Sequence, residues 1–203
     1  NPSCNYIGVD IKGARLWKGA KYAEEHELTN VAFIRTRIEF IESLFAQGEV
    51  SEIWITFADP QIGREKKRLT APLFMSRYRN FLKPGGIVHL KTDSRYLHEY
   101  SLAMAQQNDL HILAAATDIY GDDRDRLYES EFSSICGRAA VDALFEVQTF
   151  YESQYLAQGF PITYLSFLAD HEGFSHLGFL VHLNALGDLL MDGLNHIQVT
   201  FVT

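Results

Sequence analysis

The sequence has little cysteine: its two cysteines, Cys4 and Cys136, lie far apart. Two distant cysteines form neither a disulfide framework nor a zinc site of the usual spacing, so a reducing compartment, the cytoplasm, is the expected location. Long apolar runs are also missing. None approaches the roughly 20 residues that a membrane-spanning helix needs, and no signal-peptide pattern opens the sequence. These absences favour a globular protein that does not contact a membrane.

Positive charge is missing from the last third of the chain, where no Lys or Arg follows Arg138. Over the 203 residues, 18 Lys and Arg face 26 Asp and Glu, and this net charge of −8 by itself disfavours a nucleic-acid partner. Residues 1–95, however, hold 15 basic and 11 acidic residues (15 − 11 = +4), whereas residues 96–203 hold 3 and 15 (3 − 15 = −12). This asymmetry suggests one half or face that contacts phosphates, although an unevenly charged, solvated surface explains it equally well.

Short apolar β-type runs alternate with helical patterns, which is typical of βαβ units on a parallel sheet. The length fits one domain and does not distinguish a monomer from a homodimer. The predicted strands are residues 5–10, 31–35, 52–57, 87–91, 111–117 (at a sheet edge), 162–167 and 197–202. The predicted helices are residues 14–27, 38–45, 72–82, 95–107, 139–157 and 177–191. Residues 83–86 (KPGG) are expected to stop the third helix, and residues 118–126 to form a loop.

Three carboxylates follow predicted strands: Asp10, Asp59 and Asp93. Ligands of open α/β sheets bind beyond the carboxyl ends of the strands, so these acids are candidate site residues. A carboxylate in the position of Asp10 can accept hydrogen bonds from both hydroxyls of a ribose. Helix capping is the alternative for Asp10, beside Lys12, and it is an equally good explanation of Asp93.

Asp59 is the most informative of the three acids, because the adjacent Pro60 restrains its loop after a strongly apolar strand. A basic cluster follows directly: Arg64, Lys66, Lys67 and Arg68. A fixed carboxylate beside cations suits a polyanion whose base is held by its polar edge. The alternative is that the cluster is ordinary solvated surface.

Several short motifs occur in a fixed order: NYIGVDIKGAR at 5–15, NVAFIR at 30–35, IWITFADP at 53–60, KRLT at 67–70, LKPGG at 82–86, HLKTD at 89–93, QTFYE at 148–152 and ITYLSF at 162–167. Each motif is weak alone, but the ordered set resembles the bacterial tRNA (guanine-N7)-methyltransferases, closest to the form found in Bacteroides-like bacteria. The resemblance covers roughly residues 1–115 and 147–168.

This resemblance implies a Rossmann-like class I methyltransferase fold, with a mostly parallel sheet and helices on both faces. It implies S-adenosylmethionine as cofactor, tRNA as partner, no metal, and methyl transfer to N7 of a variable-loop guanine. Asp10 and Arg37 would contact the cofactor, and Asp59 would be the catalytic residue at the junction of cofactor and base. The residues expected to meet the substrate are Arg64, Lys66, Lys67, Arg68, Asp93, Thr149, Phe150, Tyr151 and Glu152.

The sequence also departs from the family pattern. The chain begins where the second strand of such a domain would begin, so the first strand and its Gly-rich loop are expected to be missing. Ala58 replaces a usual proline, which should loosen the Asp59 loop. Residues 122–145 and the tail do not resemble the family, which suggests a methyltransferase-like domain at 1–168 and a tail at 169–203 with a helix and a strand. The tail's histidines, His171, His176, His182 and His196, lack metal-ligand spacing.

Two other hypotheses remain open. One is a catalytically inactive, tRNA-binding relative or fragment that keeps Asp59 and the basic cluster but binds no cofactor. The other is a generic nucleotide-binding α/β protein whose motifs are only ancestral.

Overall fold

The computed structural model describes residues 3–169 and 197–202. The predicted helix at 177–191 and the four histidines of the tail lie outside these residues. The described strands are β1 (Asn5–Asp10), β2 (Val31–Arg35), β3 (Val50–Thr56), β4 (Leu82–Thr92), β5 (Ile112–Ala116), β6 (Thr163–Leu168) and β7 (Ile197–Val202). The described α-helices are α1 (Gly13–Glu25), α2 (Pro72–Phe81), α3 (Arg95–Gln107), α4 (Arg124–Tyr128), α5 (Glu131–Cys136), α6 (Arg138–Glu146) and α7 (Phe150–Ala157). Ile38–Ser43 and Glu65–Lys67 are short 3-10 helices.

The seven strands form one sheet in the order β2-β1-β7-β3-β4-β6-β5. The five strands from β2 to β4 are parallel, whereas β6 runs antiparallel to both β4 and β5. β5 is an edge strand, as predicted. The mostly parallel sheet predicted from the sequence is confirmed.

Side chains alternate between the two faces of the sheet, because successive residues of a strand point in opposite directions. On β4, Val88 packs into a core with α2 and α3, whereas Ile87 packs into a second core with α4, α5 and α6. On β6, Leu165 packs into the first core and Tyr164 into the second. The sheet therefore has helices on both faces, as predicted. Within the described part of the chain, no helix has the length and apolar character needed to cross a bilayer.

The centre of the sheet is occupied by β7. This strand lies between β1 and β3, parallel to both, with Val199 paired to Ile7 on one side and to Ile53 on the other. The side chain of Val199 is fully buried. Residues 197–202, predicted as a strand of the tail, thus lie in the centre of the sheet. The sequence predicts this strand but not its place.

Two local predictions need correction. The predicted loop 118–126 contains the start of α4, at Arg124. Helix α2 does end near the predicted position, but residues 83–86 belong to β4 and form an irregularity there, since Val50 pairs with Leu82 and Glu52 already pairs with Ile87. The extra residues bulge out of the ladder, and Gly85 adopts a positive φ of 72° within the bulge.

Candidate active site at the carboxyl edge of the sheet

The three predicted acids lie at one edge of the sheet. Asp10 ends β1, Asp59 lies three residues beyond β3, and Asp93 directly follows β4. Because β1, β3 and β4 are parallel members of one sheet, their carboxyl ends meet at the same edge. β1 and β3 are separated only by β7, which places their ends about 10 Å apart at a strand spacing of about 4.8 Å.

Asp10 presents one carboxylate oxygen that has no hydrogen bond. Its Oδ1 accepts a hydrogen bond of 2.9 Å from the Lys12 backbone N–H. Its Oδ2 is buried, accepts no hydrogen bond, and lies 3.5 Å from Arg15 Nη1. Lys12, not Asp10, is the N-cap of α1, so Asp10 is not the capping residue considered as an alternative. A buried oxygen that can still accept a hydrogen bond suits a ligand hydroxyl.

Asp59 is exposed in a loop of restricted conformation. Its Oδ1 accepts a hydrogen bond of 2.9 Å from the backbone N–H of Gln61, which closes a local turn. Phe57 has a φ of 51° and Gln61 a φ of 48°, values in the left-handed region that non-glycine residues seldom adopt. Such backbone strain is found preferentially at functional sites.

Arg68 holds this loop from inside the protein. Its side chain is fully buried, its Nε donates to the Pro60 carbonyl at 3.0 Å, and its Nη2 donates to the Tyr96 hydroxyl at 2.6 Å. The guanidinium also stacks 4.1 Å from the centroid of the Tyr100 ring. Arg68 is therefore not a phosphate contact, as predicted, but a buried residue that fixes the Asp59 loop through the Pro60 carbonyl. We call this contact the Arg68 clamp, and it offsets the loosening expected from Ala58.

The other three members of the predicted basic cluster, Arg64, Lys66 and Lys67, are exposed. They lie in and just before the 3-10 helix Glu65–Lys67, in the segment that joins the Asp59 loop to Arg68. Three exposed cations therefore remain beside Asp59.

The start of α7 is held by a buried network. Thr149 and Glu152 form a reciprocal capping box, in which Thr149 Oγ1 accepts from the Glu152 N–H at 3.1 Å and Glu152 Oε2 accepts from the Thr149 N–H at 3.2 Å. Glu152 Oε1 lies 2.6 Å from Lys91 Nζ and accepts a hydrogen bond of 2.8 Å from the Tyr120 hydroxyl. Glu152 is fully buried, so we correct it from a substrate contact to a residue that positions its neighbours.

Lys91 and Tyr120 are the members of this network that the sequence patterns did not single out. Burial lowers the pKa of Lys91, and the hydrogen bond and charge of Glu152 act against that shift. Burial, followed by the hydrogen bond to Glu152, raises the pKa of Tyr120. Lys91 Nζ also donates to the carbonyls of Leu144 and Val147. A lysine in the buried part of a strand needs a partner for its amine, and that partner is on a distant element.

Replacing Glu152 with Gln should destabilise the protein by about 3 kcal/mol, since it leaves the buried Lys91 ammonium without a counter-charge. The value is expected at the low end for broken buried pairs, because two carbonyls still accept from Lys91. Urea unfolding followed by circular dichroism measures the loss. Glu129→Gln, at an exposed position, is the matched control and should change stability by less than about 0.5 kcal/mol. Equal stability of the two variants would contradict the assigned role of Glu152.

Asp93 and Arg37 lie at the ends of two other strands. Asp93 is half-buried, and burial raises its pKa. The cap of α3 is Ser94, whose Oγ accepts from the Leu97 N–H at 3.2 Å, so the capping alternative does not account for Asp93. Arg37 follows β2, is largely exposed, and pairs with Glu39 at 3.3 Å.

A cavity of about 300 Å³ lies at the same edge of the sheet. Its lining residues come from α1, from the end of β3 and from the start of α7, namely Arg15, Lys18, Thr56, Phe57, Thr149, Phe150 and Tyr151. Phe150 is 71% exposed and Tyr151 43% exposed. The structure thus brings the predicted Thr149, Phe150 and Tyr151 together with two cations of α1 that the sequence analysis did not assign.

The strand order, with helices on both faces of the sheet, is that of a Rossmann-like class I methyltransferase fold, and the three acids lie at its carboxyl edge. Residues 1–131 match a family described as "Putative methyltransferase", a longer match than the predicted 1–115. A tRNA (guanine-N(7)-)-methyltransferase of Christiangramia forsetii is 52% identical over 82% of this chain and 69% of its own length. The one from Bacteroides thetaiotaomicron is 45% identical over 85% and 62%, and the one from Listeria monocytogenes is 30% identical over 80% and 68%.

The chain belongs to the tRNA (guanine-N7)-methyltransferase family. The aligned part spans between 62% and 69% of the length of these three relatives.

Proposed function

We propose that the protein transfers a methyl group from S-adenosylmethionine to N7 of a guanine in tRNA, in the cytoplasm. The observation that carries the proposal is that Asp10 ends β1 and Asp59 follows β3, the two strands that flank β7, at one edge of the sheet. One acid has an oxygen with no hydrogen bond, and the other is exposed on a clamped loop. The variable-loop guanine is the target that the family resemblance favours.

The residues present fit the nucleoside part of the cofactor. Asp10 Oδ2 is a buried acceptor that lacks a hydrogen bond, and a ribose hydroxyl would supply one. Arg37, which follows the neighbouring strand β2, is assigned to the adenine side. When bound, the cofactor would supply an electrophilic methyl group on its sulfonium.

The reaction demands little acid–base chemistry of the protein. Guanine N7 already carries an in-plane lone pair, so alignment of N7 with the methyl group is the main task. Asp59 would accept hydrogen bonds from the N1–H and N2–H groups of guanine and offset positive charge that develops on the ring. The Gln61 N–H and the Arg68 clamp fix the loop that carries Asp59, which reduces the reorganisation needed when the base arrives.

Substrate contacts are assigned around this carboxylate. Arg64, Lys66 and Lys67 would contact tRNA phosphates and help to extrude the target base. Asp93 and the exposed start of α7, which comprises Thr149, Phe150 and Tyr151, would contact the extruded nucleotide. The buried Glu152 would act through these neighbours.

Methyl transfer to unmodified tRNA tests this function. The protein is incubated with S-adenosylmethionine and tRNA. The tRNA is then digested to nucleosides, which are identified by mass spectrometry. The expected product is 7-methylguanosine at one site per acceptor tRNA. Methylation at another base or atom, or no methylation under conditions in which tRNA is bound, would contradict the proposal.

A second candidate function is tRNA binding without cofactor. The exposed Asp59 and the exposed cations beside it, Arg64, Lys66 and Lys67, need no cofactor to contact RNA. The boundary between a methyltransferase-like domain at 1–168 and a tail remains a proposal, with β7 contributing to the sheet of that domain.

A further inference from the structure

The surface of α1 carries concentrated positive charge. Residues 11–23 include Lys12, Arg15, Lys18 and Lys21 and no acidic residue, in a chain whose net charge is −8. Lys12, Lys18 and Lys21 are exposed, and Arg15 is half-buried. A cationic stretch in an acidic protein favours an anionic partner at that place.

This surface is continuous with the candidate active site. Arg15 and Lys18 are three residues apart, hence neighbours on the helix, and both line the cavity that Phe150 and Tyr151 also line. The Arg15 guanidinium lies 5.7 Å from the centroid of the Tyr151 ring and 3.5 Å from Asp10 Oδ2. Arg15 thus links α1 both to the proposed ribose acid and to the proposed substrate segment.

One large aromatic side chain, Trp17, lies between these cations in the sequence. Trp17 is 63% exposed, and Lys21 Nζ lies 5.5 Å from the centroid of its ring. Exposed aromatic rings set among cations are the combination that binds single-stranded nucleic acid, because the rings stack on bases while the cations contact phosphates.

Lys18 is the cation best placed for a phosphate. Arg15 has Asp10 as an acidic partner, and Lys21 has Glu25 at 3.5 Å. Among residues 3–169 and 197–202, no carboxylate lies within 4.0 Å of Lys18 Nζ. Lys18 is exposed and lines the cavity that Phe150 also lines.

We propose that the exposed face of α1, comprising Trp17, Lys18 and Lys21, is a second RNA-binding surface. It contacts the phosphates of an unpaired stretch of the tRNA, and Trp17 stacks on one of its bases. The inference rests on the proposed function, and it adds a contact on the β1 side of the sheet. The Arg64–Lys67 cluster is instead tied through Arg68 to α3, which follows β4. The target base would then be held between two basic surfaces.

Salt-dependent binding of unmodified tRNA tests the phosphate contact. Fluorescence anisotropy gives the dissociation constant from about 50 to about 200 mM salt, a range in which phosphate contacts weaken steeply. Lys18→Gln should raise the dissociation constant at least about threefold at the lowest salt. It should also reduce the slope of log Kd against log salt by about 0.7 to 0.9, the loss of one phosphate contact.

Lys83→Gln is the matched control, because it removes the same charge at the opposite, amino end of β4. Its slope and affinity should equal those of the unsubstituted protein. If Lys18→Gln and Lys83→Gln behave alike while the unsubstituted protein binds tRNA, this inference is overturned and the proposed function stands. If the unsubstituted protein does not bind tRNA, the proposed function fails, and the inference fails with it.

Tryptophan fluorescence tests the stacking contact. The sequence has two tryptophans, and Trp54 is half-buried and stacked on His89 at 4.0 Å between ring centroids. Addition of tRNA should quench the emission of the unsubstituted protein, and Trp17→Phe should abolish most of that quenching while it keeps an aromatic ring on α1. Equal quenching in Trp17→Phe would assign the signal to Trp54 and overturn the stacking contact.

Discussion

Val199→Asp is expected to abolish cooperative folding of the protein. Val199 is fully buried in β7 and pairs with Ile7 and Ile53 on the two flanking strands. An unpaired carboxylate there would cost several kcal/mol, and the total stability of a domain is only about 5 to 15 kcal/mol. Without β7, the inward edges of β1 and β3 would lose their ladder partners, and the sheet would divide beneath the candidate active site.

Chemical denaturation followed by circular dichroism measures this effect. Val147→Asp is the control, since Val147 is 68% exposed and the same substitution there should change stability by less than about 0.5 kcal/mol. A cooperative transition in Val199→Asp at the denaturant concentration of the unsubstituted protein would show that β7 does not lie in the centre of the sheet. It would also remove the geometric link between Asp10 and Asp59.

Asp59→Asn should reduce kcat/KM for tRNA methylation about a hundredfold, which corresponds to about 2.7 kcal/mol of transition-state stabilisation. The amide removes the negative charge that offsets the developing charge on guanine. It also replaces one acceptor oxygen with an NH₂ donor, which cannot pair with the N–H groups of the base. The Gln61 N–H can still bond the remaining oxygen, so the loop should keep its conformation.

Single-turnover methylation and tRNA binding are measured together for this variant. The affinity for tRNA should change less than about threefold, because phosphate contacts dominate nucleic-acid affinity. Asp122→Asn, at an exposed position, is the control and should keep full activity. Full methylation activity in Asp59→Asn would remove Asp59 from the catalytic role.

The sequence was informative where local patterns decide the structure. The apolar runs at Asn5–Asp10 and Val31–Arg35 and the helical pattern at Arg95–Gln107 are observed with the predicted bounds. The acids at the strand ends could also be placed at one edge, because parallel strands in one sheet fix the direction of their carboxyl ends. Periodicity and strand direction require no knowledge of distant contacts.

The remaining features depend on contacts between residues far apart in the chain. Arg68 resembles its neighbours Lys66 and Lys67 in sequence, and only its packing against Tyr96 and Tyr100 makes it a buried clamp. Glu152 is buried because Lys91, on another element, provides its counter-charge. Within one motif, Lys67 is exposed and Arg68 is buried, and Tyr151 is exposed and Glu152 is buried. A motif match alone does not distinguish these environments.

The position of β7 was the largest difference from expectation. Its apolar sequence predicts a strand, but its place in the sheet depends on pairing with β1 and β3, which are far away in the sequence. β1 and β3 each present a parallel edge toward the centre of the sheet, and β7 satisfies both. Backbone pairing on both sides gives the inserted strand a complete set of hydrogen bonds.

Calorimetric titration with S-adenosylhomocysteine tests most directly the central claim that this sheet edge binds the cofactor beside Asp59. We expect saturable binding to the unsubstituted protein with a dissociation constant below about 1 mM, or about −4.1 kcal/mol or tighter. Asp10→Asn should weaken that binding about tenfold, since one charged hydrogen bond to the ribose is lost. No heat at millimolar ligand, with the protein folded and binding tRNA, would contradict the methyltransferase function and favour the cofactor-free tRNA-binding role.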